Sequence, residues 1–189
     1  MHASSIVVVR QIDVQVAQPA QRFTPEQFLA FVRSAEPARR DEEVCRPGAV
    51  ARNVAQGYRP EIAVRGDAPQ IDCSAVSLER MLSNLLDNAV EYGAAPIAVH
   101  LAEEDGWARI AVVDQGPGIA EADIEQAMQP FVRLDPARGA SGHCGLGLAI
   151  VSRLAEGAGG RWFAGRSAQG FAIGVLLPLS QNPAQHPAA

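Results

Sequence analysis

Asp105-Gly106 lies between two alternating runs, Ile97, Val99 and Leu101 before it and Ala108, Ile110 and Val112 after it. Asp-Gly readily supplies the left-handed residues of a tight two-residue turn, so the runs are predicted to pair as an antiparallel hairpin. Strands with apolar residues at every second position need a packing layer on that face. The segment just upstream offers one. Leu78, Met81, Leu82, Leu85, Leu86, Ala89 and Val90 follow the i, i+3, i+4, i+7 spacing of an amphipathic helix. Ser74 is its expected N-cap and Gly93 its expected closing residue.

Downstream, a short helix is expected near Glu121–Met128 and another helix from the glycines around 145 to Leu154. A last hairpin should pair Arg161–Gly165 with Phe171–Leu177 across Ser167–Gly170. At 189 residues and 48% hydrophobic, one domain with short extensions is expected. A net charge of −5 offers no basic footprint for nucleic acid. Apolar runs fall well short of the roughly 20 residues needed to cross a bilayer, and no signal peptide is evident. Cys45, Cys73 and Cys144 are odd in number and widely spaced, which fits free thiols in a reducing cytosol. His143-Cys144 lacks the further ligands a zinc site requires.

Three segments carry chemistry. Asn84 and Asn88 sit one helical turn apart, off the apolar stripe, so both amides point the same way. An Asn carbonyl is a hard-oxygen ligand suited to Mg²⁺, which otherwise keeps waters and phosphate oxygens. Alone, such a pair is an ordinary polar helix face. The second segment, Asp114-Gln115-Gly116-Pro117-Gly118-Ile119, ends a strand with a carboxylate and two glycines that allow close backbone approach. A carboxylate there can accept from an exocyclic amine such as adenine N6. Third, Gly142-His143-Cys144-Gly145-Leu146-Gly147-Leu148 opens a helix, and amides at such a start bind phosphate. Before it come Pro130-Phe131-Val132-Arg133-Leu134-Asp135 and a stretch of small residues that reads as a lid. Arg133 is a fixed cation suited to phosphate oxygens. The chain has no lysine, since 16 arginines make up all of Lys+Arg. That excludes a Walker A lysine, the β3 lysine of Ser/Thr/Tyr kinases and Schiff-base chemistry. Ile150 stands where a dinucleotide fingerprint needs its third glycine.

In order and content these segments resemble the catalytic and ATP-binding domain of bacterial two-component sensor histidine kinases, within the superfamily that includes gyrase, a heat-shock chaperone and a mismatch-repair ATPase. Asn84 and Asn88 look like its N box, Asp114-x-Gly116-x-Gly118 its G1 box, Pro130-Phe131-x-Arg133 its F box and Gly145-Leu146-Gly147-Leu148 its G2 box. The likeness covers about residues 74–160 and is nearest to osmosensor-type kinases. It implies the Bergerat ATP-binding fold, an α+β two-layer sandwich with a mixed sheet of about five strands covered on one face by three helices. It also implies ATP and Mg²⁺ as ligands and a role for each matching residue. Asp114 would bind the adenine amine. Asn88 would ligate Mg²⁺, with Asn84 supporting metal or phosphates. Gly116, Gly118 and Ile119 would shape the adenine pocket, and Tyr92 would lie against the nucleotide. Gly145 and Gly147 would offer amides to the phosphates, Leu146 and Leu148 would anchor the lid, and Arg133 would stabilise the transferring γ-phosphoryl group. Asn84 and Arg133 are the residues expected at the catalytic step. ATP-hydrolysing relatives place a Glu base at position 84; Asn cannot act as one, which favours transfer to a protein over transfer to water.

Two positions depart from the family pattern. Glu91 stands where a Lys or Arg is common, and would weaken nucleotide binding or point to solvent. The extra lid glycine is Gly142, one residue out of step; nucleotide binding is expected to survive it. None of His2, His100, His143 or His186 is followed by an acidic residue, as the family's acceptor histidine is. His100 reads as structural and His143 as exposed lid. The chain is therefore expected to be the catalytic half of a kinase that phosphorylates a histidine in a dimerisation hairpin, in cis in a longer protein or in trans. Its downstream partner would be a response regulator, and its location cytoplasmic, as part of an inner-membrane sensor. An ATP-binding pseudokinase or truncated regulatory module and an anti-sigma-factor serine kinase are the alternatives. The expected organisation is an N-terminal extension over 1–33, a linker over 34–43, the catalytic domain over 44–180 and a disordered tail over 181–189. Within the extension, a helix from near Thr24 resembles the end of a dimerisation hairpin; residues 1–20 would be a remnant, a strand pairing elsewhere or a foreign extension.

Overall fold

The computed structural model describes residues 45–59, 61–134 and 145–180. The expectations for the N-terminal extension, the linker, the tail, and the lid residues Gly142, His143 and Cys144 lie outside these residues. In chain order the elements are α1 (Pro47–Ala55), β1 (Ala63–Gly66), α2 (Ala75–Tyr92), β2 (Ala98–Glu104) and β3 (Trp107–Asp114). A 3-10 turn (Glu121–Asp123) then leads into the single-turn α3 (Ile124–Ala127), followed by α4 (Gly147–Gly157), β4 (Arg161–Ser167) and β5 (Gly170–Pro178).

Five strands form one mixed sheet in the order β1-β2-β3-β5-β4. β1 runs parallel to β2, with α2 as the crossover, and every other pairing is antiparallel. Both hairpins form where the alternation places them. Asp105 and Gly106 take φ of 51° and 78°, the two left-handed residues that a type I′ turn requires. That turn sets the register in which Ile110 faces Leu101 and Val112 faces Val99. Even-numbered residues of β3 face the helices, and with Val99, Leu101, Ile173, Val175 and Leu177 they form the main core. On the opposite face, Ala111, Val113, Phe163 and Ala172 form a smaller cluster. Arg109 lies over the Phe163 ring there at 4.5 Å and pairs with Glu104 at 3.1 Å.

α2 is the central helix of the covering layer, contacting α1, α4 and β3. Leu78, Met81, Leu82, Leu85 and Leu86 are at most 1% exposed, and each such side chain contributes roughly 1.5–3 kcal/mol by leaving water. Val90 departs from the expected stripe: it lies on the outer side, 45% exposed. Ser74 caps the helix by accepting from the Ser77 amide at 3.1 Å, as its side chain predicts. Gly93 ends it in an extended conformation, φ −85° and ψ −163°, rather than the left-handed one usual after a helix. Its glycine is required by space: a Cβ there would come within 2.7 Å of the Asp114 carboxyl carbon. Neither α1, which starts without a side-chain cap, nor the four-residue β1 is among the elements expected from the sequence. After α1, the Tyr58 hydroxyl donates to Asp87 at 2.7 Å and to the Ser83 carbonyl at 3.2 Å, bracing α2 from outside.

Candidate functional site

The residues singled out in the sequence converge at one end of the sheet. Asp114, the last residue of β3, is only 4% exposed. Its Oδ1 accepts from the Gly116 amide at 2.6 Å and from the Ala94 amide at 3.4 Å. No described group donates to Oδ2. The strand-end carboxylate thus holds its own turn with one oxygen and keeps the other as an acceptor. Gly116 is pressed against Gly93, where a Cβ would meet the Gly93 Cα at 2.7 Å. Gly118, at φ 69°, lies on the Phe171 ring so closely that a side chain would overlap it. Ile119 packs, half-buried, against the edge of the core.

Asn84 and Asn88 are half-buried, one turn apart on α2. The Asn84 amide nitrogen donates to the Arg80 carbonyl at 2.7 Å, which turns its Oδ1 the other way, toward the start of α4. A Cβ on Gly147 would lie 3.1 Å from that oxygen. No described group hydrogen-bonds the Asn88 amide. Both side chains can therefore offer carbonyl oxygens on one side of α2, the donor set a hard cation such as Mg²⁺ accepts.

Pro130–Leu134 and Gly145 meet across the lid. The Phe131 amide donates to the Gly145 carbonyl at 2.8 Å. Phe131 itself sits at φ 68° and Gly145 at φ 67°, and a Cβ on Gly145 would press on the Val132 carbonyl at 2.6 Å. Leu146 packs on the core and Leu148 is buried in it, fixing the start of α4. Next to this seam stands Arg133. Its Nε and Nη2 are buried and find no hydrogen-bond acceptor among the described residues. Two desolvated donors of a fixed cation without an acceptor fit an anionic ligand such as a phosphate.

Tyr92, at the end of α2, joins these parts. Burial first, then a hydrogen bond with Glu91, pushes its hydroxyl above the ordinary range, while Arg133 nearby pulls the other way. Glu91 is therefore half-buried and engaged beside Tyr92, neither replacing the missing cation nor standing free in solvent. His100 lies on β2 away from this cluster, half-buried, with its pKa lowered by burial and then by Arg65 and Arg109.

Sequence reasoning missed the contacts that hold the Asp114 turn from the other side. Arg166, on β4, donates through Nη2 to the Gly116 carbonyl at 3.0 Å and to the Pro117 carbonyl. Gln115 Nε2 donates to the Gln169 carbonyl at 2.6 Å. A terminal arginine on an edge strand carries no local signal that separates it from a solvated surface cation.

The chain thus joins a two-layer sandwich to a buried strand-end carboxylate, a half-buried Asn pair and a glycine-started helix, the make-up of an ATPase-type domain. Residues 73–181 match the family described as histidine kinase-, DNA gyrase B-, and HSP90-like ATPase, and the chain belongs to it. Relatives narrow the branch to the histidine-kinase ATPase domains of sensor kinases. The chain is 36% identical over 143 residues to a sensor histidine kinase component, HK1, of Mycobacterium tuberculosis, covering 75% of this chain and 80% of that protein. It is 48% identical over 84 residues to the sensor protein RstB of Escherichia coli, a match covering 44% of this chain but only 19% of RstB. Among solved structures, the histidine kinase domain of the E. coli osmosensor EnvZ superposes with a TM-score of 0.56 at 32% identity, covering 80% of this chain and 98% of that domain. The mycobacterial sensor histidine kinase MprB gives a TM-score of 0.60 at 28% identity, covering 72% of this chain and 96% of that one. No helix among the described residues is long and apolar enough to cross a membrane.

Proposed function

We propose that this domain binds Mg-ATP and transfers its γ-phosphoryl group to a histidine of a dimerisation hairpin in a cytoplasmic two-component system. The single observation that carries the reading is the pair of groups that flank the end of α2: a buried Asp114 carboxylate beside Gly93 and, beside Tyr92, an Arg133 with two buried donors that meet no described acceptor. With the carbonyl oxygens of Asn84 and Asn88, these groups offer an acceptor for an adenine amine, ligands for a hard cation and donors for phosphate oxygens. In this reading Asp114 takes the adenine amine through Oδ2, and Tyr92 and Ile119 flank the base. Asn88 holds Mg²⁺, with Asn84 beside it, while the amides of Gly145 to Leu148 cradle phosphates. ATP supplies the phosphoryl group. Arg133 offsets the charge that builds on it as the bond to the β-phosphate bridging oxygen breaks and the histidine nitrogen bonds to phosphorus. Asn84 has no proton-accepting role, so water is not activated. A response regulator would take the phosphoryl group next. The AMPPNP complex of the full-length kinase ShkA, 27% identical with a TM-score of 0.64, supports the choice of nucleotide.

Calorimetry tests binding: Asn88→Ala should weaken Mg-ATP by tenfold or more while affinity in EDTA changes little. Equal losses with and without metal would remove the metal role. Mixing the domain with ATP and a hairpin domain of the family, then assaying acid-labile, alkali-stable phosphate on the hairpin, tests transfer. Tight ATP binding without transfer would assign an ATP-binding regulatory module instead.

A further inference from the structure

We infer that Arg166 is a positioning residue for the adenine end of the nucleotide, holding the Asp114–Gly118 turn from the β4–β5 hairpin. The inference rests on the nucleotide-binding reading above but concerns a residue outside the family's boxes. Asp114, Phe171 and Arg166 are cross-strand partners in a single row over β3, β5 and β4. With a side-chain period of two, all three start from the same face of the sheet, at the edge where the turn leaves it. From there the Arg166 guanidinium reaches the carbonyls of both Gly116 and Pro117.

Independent contacts show that the hairpin and the turn are fitted together. Gln115 Nε2 reaches the Gln169 carbonyl at 2.6 Å. Gly170 sits so close to the strand end that a Cβ would overlap the Asp114 carbonyl. Gly118 rests on the Phe171 ring. The turn is thus clasped between the end of α2, through Ala94 and Gly93, and the β4–β5 hairpin, through Arg166, Gln169 and Gly170. Only Arg166 in this clasp brings a charge. Its hydrogen bonds engage the Gly116 and Pro117 carbonyls next to the Asp114 carboxylate, whose Oδ1 is already taken by the Gly116 and Ala94 amides. Hydrogen bonds to a charged donor are the stronger kind and geometrically selective, so the turn is held in the conformation the base needs before it arrives.

The test uses the whole chain and two variants, Arg166→Met and Arg166→Lys. Calorimetry with adenosine, ADP and Mg-ATP reads binding, and hydrogen–deuterium exchange without nucleotide reads the turn. Arg166→Met should weaken all three ligands by a common factor, about tenfold for the loss of a charge-assisted pair. It should speed exchange at Gly116 and Gly118 while leaving the melting temperature of the nucleotide-free protein nearly unchanged. Arg166→Lys, with a single reaching ammonium, should recover part of the affinity. Unchanged affinity in Arg166→Met would overturn the inference. So would a loss that grows with the number of phosphates, because that would make Arg166 a long-range attraction for anions. Failure of the unsubstituted chain to bind any of the three ligands would sink the underlying function instead, and is distinguishable from both.

Discussion

Asp114 holds its own turn through Oδ1, while the proposed adenine contact falls to Oδ2, and this changes how it should be probed. From sequence alone, Asp114→Ala is a clean way to remove an adenine acceptor. The structure shows that the same substitution strips the Gly116 amide of its 2.6 Å partner at a buried position. An unpaired buried donor costs about 1–3 kcal/mol, so Asp114→Ala should lose stability as well as nucleotide. Asp114→Asn keeps an oxygen for the two amides and replaces the other with a donor. It should hold its chemical-denaturation midpoint near the parent's yet bind ATP at least tenfold more weakly. An Asn variant with parental ATP affinity would remove Asp114 from the adenine site. His100 makes a separate prediction. Burial, with Arg65 and Arg109 adding to it, lowers its folded pKa below the ordinary imidazole range. The unfolded chain therefore takes up the proton first, and folding stability should fall as pH drops below about 6.5 toward the lowered value. His100→Gln should show a smaller loss of urea midpoint between pH 7.5 and pH 5.5. Parallel losses in both proteins would show that His100 does not contribute.

At the scale of elements, the ends matter more than the middles. α2 was legible because seven apolar residues repeat on its period and Ser74 is a strong cap; the Asp105-Gly106 hairpin was legible because its turn chemistry is local. β1 was not, being four residues with the burial of a nearly open edge. Nor was α1, nine residues whose start has no side-chain cap. The candidate site divides the same way. Its four boxes stand out because each is an unusual local composition, whereas Arg166 acts on residues 49 and 50 positions away. Contacts at that separation leave no trace in a local pattern. Gly93 shows the limit from another side: a glycine after a helix suggests a left-handed cap, yet here it makes room for Asp114. Gly93→Ala should therefore be felt at the site. Crowding at 2.5 Å from the Ala89 carbonyl and 2.7 Å from the Asp114 carboxyl carbon should cost about 1–3 kcal/mol, and it should raise the Kd for ATP. Unaltered stability and affinity would show that the α2 terminus can yield without disturbing the carboxylate.

Taken whole, the molecule is a sheet whose two ends do different work. The end of α2, the start of α4, the Asp114 turn and the Phe131–Gly145 seam gather at one end, and the Asp105-Gly106 turn lies at the other end of β3, where a Cβ on Gly106 would meet nothing within 4 Å. The eight residues of β3 separate them, about 25 Å of extended chain. That remote turn nevertheless decides which side of the sheet Asp114 takes, through parity. Counting from it, even positions look toward the helices and odd positions away, so Asp114 starts on the helix side because its number is even. An odd change of length inside the strand would exchange Asp114 for its neighbour and put a valine on the helix side at the strand end. A glycine inserted after Gly106 should bulge into solvent and leave ATP affinity within about twofold of the parent, whereas the same glycine between Ala111 and Val112 should abolish binding. Equal tolerance of the two insertions would show that register is corrected elsewhere. A substitution in β3 is thus felt at one position, whereas a single-residue insertion turns over the facing of every residue that follows it.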